Sequence, residues 1–330
     1  MIETLLRIPE KALFTLLGQL ENTLSRNHKL QNTPTFIIGP PRSGTTLLGQ
    51  IVCHAFDVSY IPNMAIRMRH IYNGYPPIVT ASKIAKLLGY TSNTDEKYES
   101  YYGSSSVLGG SSDSDFIWRD VLPMGYLEKG DLSDQHQRYI HRITAGLEKV
   151  FNKPFIDKCV GHSLRIPALL EIFPEALFIR CKRNPLAVAQ SVYFGRTRSE
   201  WTRKTWLTPH ARGYEALFQK DLLEQCAGQQ YLFEKDIDAG LSQVDPERVI
   251  EVDYDDVCRQ PEKELQRIYD LMHQHNIEVQ MLHKAPDAFP LSNFRRVDKN
   301  IYNQLVTHLE KIYGTPVSHL YEQSDQEKNN

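Results

Sequence analysis

Thr35-Phe36-Ile37-Ile38-Gly39-Pro40-Pro41-Arg42-Ser43-Gly44-Thr45-Thr46-Leu47-Leu48 is the stretch on which the fold turns. An apolar, partly β-branched run ends at Gly39, four residues intervene before Gly44, and two hydroxyl residues precede Leu47, Leu48, Ile51 and Val52 at helical spacing. This order predicts a strand, a phosphate loop and a helix. Gly39-x-x-x-x-Gly44 has the spacing of a Walker A loop, whose backbone N–H groups and helix N-terminus cradle an anion. Thr45 stands where a nucleotide kinase carries its Lys, and Arg42 places a planar fork inside the loop. The loop is therefore suited to an anion other than a triphosphate.

Downstream, Ala176-Leu177-Phe178-Ile179-Arg180-Cys181-Lys182-Arg183-Asn184-Pro185 reads as a strand ending at Arg183, with Pro185 at the first helical position and Ser191 two turns further on. Arg183 at the strand tip and Ser191 on the inner helix face can converge on one phosphate, with the guanidinium assisting by charge.

At these two places the sequence resembles the PAPS-dependent sulfotransferases of the bacterial small-molecule type. Their 5′-phosphosulfate loop has the form apolar strand, Pro-Arg-Ser-Gly-Thr-Thr, Leu, and their 3′-phosphate site the form Arg-x-Pro-x-x-x-x-x-Ser. The resemblance implies an α/β, three-layer P-loop-like fold, with a central parallel sheet flanked by helices and a mostly helical and loop insertion covering the acceptor site. It implies transfer of a sulfonyl group from 3′-phosphoadenosine 5′-phosphosulfate (PAPS) to a hydroxyl or amine of a small-molecule acceptor in specialised metabolism, with the desulfated nucleotide (PAP) as product and no metal. Arg42, Ser43, Gly44, Thr45 and Thr46 would take the 5′ side, and Arg183 and Ser191 the 3′-phosphate. Lys158, at the end of a further strand, would be a second cation at the leaving group, and Tyr254 would sit near the nucleotide. The cytosolic branch uses an Arg-Lys-Gly loop near its C-terminus. None occurs here, and Arg295 or Arg296 is the substitute.

The 330 residues suffice for a sizeable α/β core. The formal charge of -2 gives no reason to expect nucleic acid or an anionic membrane as partner. Five scattered Cys without a C-x-x-C read as reduced thiols of a cytoplasmic protein, with neither a disulfide framework nor a zinc site. No apolar run is long enough to span a bilayer. Residues 1–330 read as a single domain. Within it, residues 1–32 form an amphipathic helix (Leu13, Leu16, Leu17, Leu20, Leu24) that packs back or serves as a docking or homodimer helix. Residues 72–134 form the insertion, and residues 314–330 a polar tail.

Further strands are expected over Asp57–Pro62, Phe155–Cys159 and Val249–Tyr254, and helices over Gln135–Phe151, Leu164–Ile172, Thr205–Asp236 and Pro261–His275. Arg67, Arg69 and His70 form either a cleft-lining helix or a solvated face. Between Thr91 and Asp134, nine acids oppose three bases, interleaved with Tyr98, Tyr101, Tyr102 and Tyr126. Such a surface, if concave, favours a small cationic acceptor; the alternative is a mobile polar flap whose charges only keep it soluble. For the general base the candidates are His162, by its ordinary pKa, and Asp115 with Asp113, next to the aromatic knot Phe116-Ile117-Trp118. The rival readings are a P-loop kinase and a non-catalytic nucleotide-binding protein of the same fold.

Overall fold

The computed structural model describes residues 17, 19–21, 23–25, 28–68, 77–89, 98, 110–111, 113–119, 121–206 and 208–320. At its centre lie four parallel strands, β1 (Thr35–Ile38), β2 (Ile156–Lys158), β3 (Leu177–Lys182) and β4 (Val249–Asp253), in the order β2-β1-β3-β4. Every residue of β1 is buried, as its continuous apolar run requires of a strand covered on both faces. Period-two alternation sorts its side chains. Phe36 and Ile38 pack with Phe178, Trp118, Ile143 and Leu169 on one face, whereas Ile37 packs with Ile179, Leu48, Ile51 and Ile268 on the other. The outcome is the three-layer α/β arrangement expected from the sequence.

The helices that matter for the site are α1 (Thr45–Ala55), α2 (Ile78–Leu87), α3 (Asp115–Trp118), α4 (Asp134–Phe151), α5 (Ile166–Ile172), α6 (Pro185–Arg196), α7 (Leu222–Leu241), α8 (Tyr254–Arg259), α9 (Pro261–Gln274) and α10 (Lys299–Tyr313). Local chemistry sets their starts. Asn184 accepts from the N–H groups of Leu186 (2.9 Å) and Ala187 (3.3 Å), and Pro185 follows at a position where its missing N–H costs nothing. Because all strands run the same way, Gly39, Cys159, Arg183 and Tyr254 come out along one edge of the sheet, where ligands of such folds bind.

Two expectations change. Asp57–Pro62 is not a strand. Only Ser59 bridges to Phe155, while the Asp57 N–H goes to Gln280 and that of Val58 turns back to Phe56. Thr205–Asp236 is broken, with a short helix at Tyr214–Phe218 and α7 beginning where Asp221 accepts from the N–H groups of Leu223 and Glu224. In the N-terminal segment, buried Glu21 accepts from Val79 N (3.1 Å), Thr80 N (2.7 Å) and Thr80 Oγ1 (2.8 Å), so this stretch folds back onto the first turn of α2. Leu13, Leu16, Arg69, His70, Tyr101, Tyr102, the Arg67 side chain and the end of the tail lie outside the described residues.

Candidate active site

A cavity of about 1030 Å³ opens along the C-terminal edge of the sheet, lined by the loop after β1, the start of α8, the inner face of α6 and the residues before α3. The loop is held by Ser43 N donating to Pro40 O (3.1 Å), and its shape demands glycine at 44. There φ is +102°, and a Cβ would lie 2.3 Å from the Tyr254 ring. Arg42 itself has φ +74°, a left-handed backbone that a non-glycine residue adopts at a cost of about 1–3 kcal/mol. That conformation turns its side chain across the cavity, where Nε donates to Ser191 Oγ at 2.9 Å. Gly44 gives α1 no side-chain cap, so the amides of its first turn are left for an anion.

Arg183 is 7% exposed, and burial pushes its pKa down. Nη1 donates to Arg42 O (3.0 Å), Nε to Asn293 Oδ1 (2.8 Å), and Nη2 to Ser292 O and Ser292 Oγ (both 2.8 Å). The guanidinium lies 4.1 Å above the Tyr254 ring, and Tyr254 Oη shares a hydrogen bond of 2.9 Å with Ser292 Oγ. All these acceptors are neutral. A buried cation so placed is set for an anionic ligand. Thus Arg42, Ser191 and Arg183, named from two separate signatures, stand with Tyr254 around one cavity.

Beside them lies a pair of carboxylates. Asp113 Oδ1 accepts from Asp115 N (3.1 Å) and Val160 N (3.3 Å), and its Oδ2 meets Lys158 Nζ at 2.8 Å. Asp115 is in direct contact with Gly161, where a Cβ would fall 2.1 Å from Oδ1, and lies 3.6 Å from buried Arg165. Burial raises the Asp115 carboxyl above the ordinary carboxylate range. Arg165 opposes that rise, and the charge of Asp113 adds to it. Both acids line the cavity.

The other sequence candidates are placed differently. His162 is 1% exposed and is not among the lining residues. Its Nε2 is 3.0 Å from Asp157 Oδ2, which also accepts from Trp118 Nε1 (2.7 Å), and its ring meets Phe36 edge-on. His162 thus sits in a buried network with Asp157 and Trp118, off the lining of the cavity. Lys158 sits beneath Asp113 rather than on the surface of the cavity, its stem laid over Gly49. Arg295 and Arg296 are exposed, Arg296 stacking 5.3 Å over Phe194, because the turn of chain at Ser292 and Asn293 takes the place beside Arg183. Of the acidic insertion, Asp95, Glu96, Glu99 and Asp120 lie outside the described residues. Arg42, Arg119, Arg183, Arg196 and Arg198 face the cavity against only Asp113 and Asp115 among the described residues. Sequence reading missed Arg165, Arg196, Ser292 and Asn293. Of these, Arg196 alone carried a local signal, a cation on the buried side of an otherwise apolar helix.

A parallel sheet whose strand ends join an anion loop to a second arginine site defines a P-loop-like α/β protein. Residues 128–275 match the model of the sulfotransferase family. Two curated relatives, the omega-hydroxy-beta-dihydromenaquinone-9 sulfotransferases Stf3 of Mycobacterium bovis and Mycobacterium tuberculosis, are each 24% identical over 263 residues, 73% of this chain and 62% of theirs. The chain thus spans less than two thirds of the length of these relatives. Among solved structures, sulfotransferase STF9 from Mycobacterium avium is 16% identical, with 91% of this chain and 73% of that one covered and a TM-score of 0.50. Sulfotransferase STF1 from Mycobacterium tuberculosis is 14% identical, with 95% and 82% covered and a TM-score of 0.50. The chain is related to the sulfotransferases and has their fold. No group of three or more His, Cys, Asp or Glu able to hold a metal, and no helix long and apolar enough to cross a membrane, occurs among the described residues.

Proposed function

We propose that the protein is a sulfotransferase that moves a sulfonyl group from PAPS to a hydroxyl or amine of a small-molecule acceptor in specialised metabolism. The observation that carries this reading is the meeting of the two anion sites. Arg42 of the loop bonds to Ser191, and Arg183 bonds to the carbonyl of Arg42, so a nucleotide with phosphates at both ends can span them. The loop amides from Ser43 to Thr46, with Arg42, hold the 5′-phosphosulfate. Arg183 and Ser191 hold the 3′-phosphate, with Tyr254 stacked on Arg183. Lys158 acts through Asp113, and the two together fix the polar floor.

Asp115 takes the proton of the acceptor. As its oxygen or nitrogen bonds to sulfur, the bond from sulfur to the bridging oxygen breaks, the electron pair goes to the 5′-phosphate, and PAP leaves. Catalysis then rests on positioning and on stabilising charge at the leaving oxygen. Buried thiols at all five cysteines support a cytoplasmic setting.

A P-loop kinase would need a cation at position 45, where Thr45 stands, and would leave Arg183 and Ser191 without a role. Calorimetric titration with PAP and with ATP plus magnesium separates the two. PAP is expected to bind the more tightly, and a preference for ATP would overturn the assignment. Turnover of labelled PAPS across an acceptor panel distinguishes an enzyme from a binding protein.

A further inference from the structure

Arg196 closes α6 and is only 3% exposed, yet it lines the cavity. Its Nε donates to Thr202 O (3.1 Å), and Nη2 to Arg203 O (2.9 Å) and Gln225 Oε1 (2.8 Å). Every one of these acceptors is neutral. No carboxylate forms an ion pair with Arg196 among the described residues, and Nη1 has no hydrogen-bond partner. A guanidinium taken out of water without a counter-charge is costly unless something anionic arrives. Thr208, whose buried Oγ1 is also unpartnered, lines the same cavity.

Arg196 lies five residues beyond Ser191 on α6, and the chain after Thr208 runs toward Asp115. Two residues beyond Thr208, His210 N donates to Met124 O (2.7 Å). The neighbouring Pro123 O accepts from Arg165 Nη2 (3.2 Å), and Arg165 faces Asp115 at 3.6 Å. Tyr254 and Ser292, by contrast, stack and bond on Arg183. The cavity that Asp115 lines therefore also offers a buried cation to which neither of the two phosphate sites assigned above gives a role.

We propose that Arg196 and Thr208 form a subsite for an acidic group on the acceptor, a carboxylate or a sulfate or phosphate ester, so that the enzyme sulfonates acidic hydroxy compounds. This rests on the sulfonyl-transfer reading and reverses the cationic acceptor suggested by the composition of the insertion.

The test is calorimetry on the full chain, first with PAP and then, with PAP saturating, with para-hydroxybenzoate, para-hydroxybenzenesulfonate, para-hydroxyphenyl phosphate, para-hydroxybenzamide and tyramine. At least one acid should bind roughly 10- to 100-fold more tightly than the amide, the worth of one charge-assisted hydrogen bond. The three acids separate carboxylate from sulfonate and phosphate recognition. Arg196→Gln and Thr208→Val should shrink that ratio to a few-fold while PAP affinity holds. If Arg196→Gln fails to fold, Thr208→Val decides alone. Equal affinities for acids and amide, no binding of either, tighter binding of tyramine, or an unchanged ratio in the variants overturns the subsite. Failure of PAP itself to bind overturns the donor reading beneath it and is seen in the first titration.

Discussion

At the scale of single residues, the proposed chemistry rests on Asp115. It was legible as an acid just before an aromatic knot. His162 could not be set apart from it, because whether a side chain faces a cavity or a Trp118–Asp157 network is decided by packing from distant elements. Asp115→Asn is expected to lower kcat by about 10²- to 10⁴-fold, the usual worth of a positioned base, with PAP affinity retained. Since burial holds the carboxyl above its ordinary range, the acid limb of the wild-type kcat/KM profile should lie above ordinary carboxylate values. Activity then falls as the pH drops through that limb and Asp115 takes up its proton. A flat profile across that range, or an Asn variant with wild-type turnover, would remove Asp115 from the reaction.

At the scale of elements, the loop before α10 was legible as a loop, but its contacts with Arg183 were not. The strand, Asn184 cap and Pro185 start of α6 are local and could be read directly, whereas Ser292 and Asn293 meet Arg183 across 109 and 110 residues of chain. Asn293 also donates to Asp255, linking that carboxyl to the guanidinium. Arg183→Ala should weaken PAP binding by roughly 2–4 kcal/mol and Asn293→Ala by about 0.5–1.5 kcal/mol, both read by titration. Equal losses in the two variants would mean that Arg183 only braces the loop.

Asp255 itself is pushed up to about 6, chiefly by burial and then by Asp253. A raised folded-state pKa gives stability that is fully present below the unfolded value of 3.8 and is lost as the pH rises through about 6. The Tm of Asp255→Asn should therefore gain on the wild type between about pH 4 and about pH 6 and keep a constant lead above that. A constant difference across that window would show that Asp255 titrates as an ordinary carboxyl.

For the whole molecule, the parallel sheet brings every anion-binding turn to one edge, and ligand binding should be felt by the entire fold. PAP at a hundredfold excess over its Kd is expected to add about 2.7 kcal/mol of stability, visible as a raised Tm. ATP with magnesium should add much less, and Arg183→Ala should abolish most of the PAP effect. A Tm that ATP raises more than PAP does would point back to the kinase reading. The class of fold was readable from β1 and α1 alone, because a buried β-branched run leading into a glycine loop leaves few alternatives. Which charges face the cavity was not, because composition counts charges without saying which of them turn inward.

The hydrogen bond from Arg42 to Ser191 makes the two cradles rivals for one another's company. A molecule that bridges them meets this couple already formed, and its grip is the difference between the contacts it brings and any it displaces. Fragments touching a single cradle inherit only part of that exchange, so occupancy at one end alters the welcome at the other.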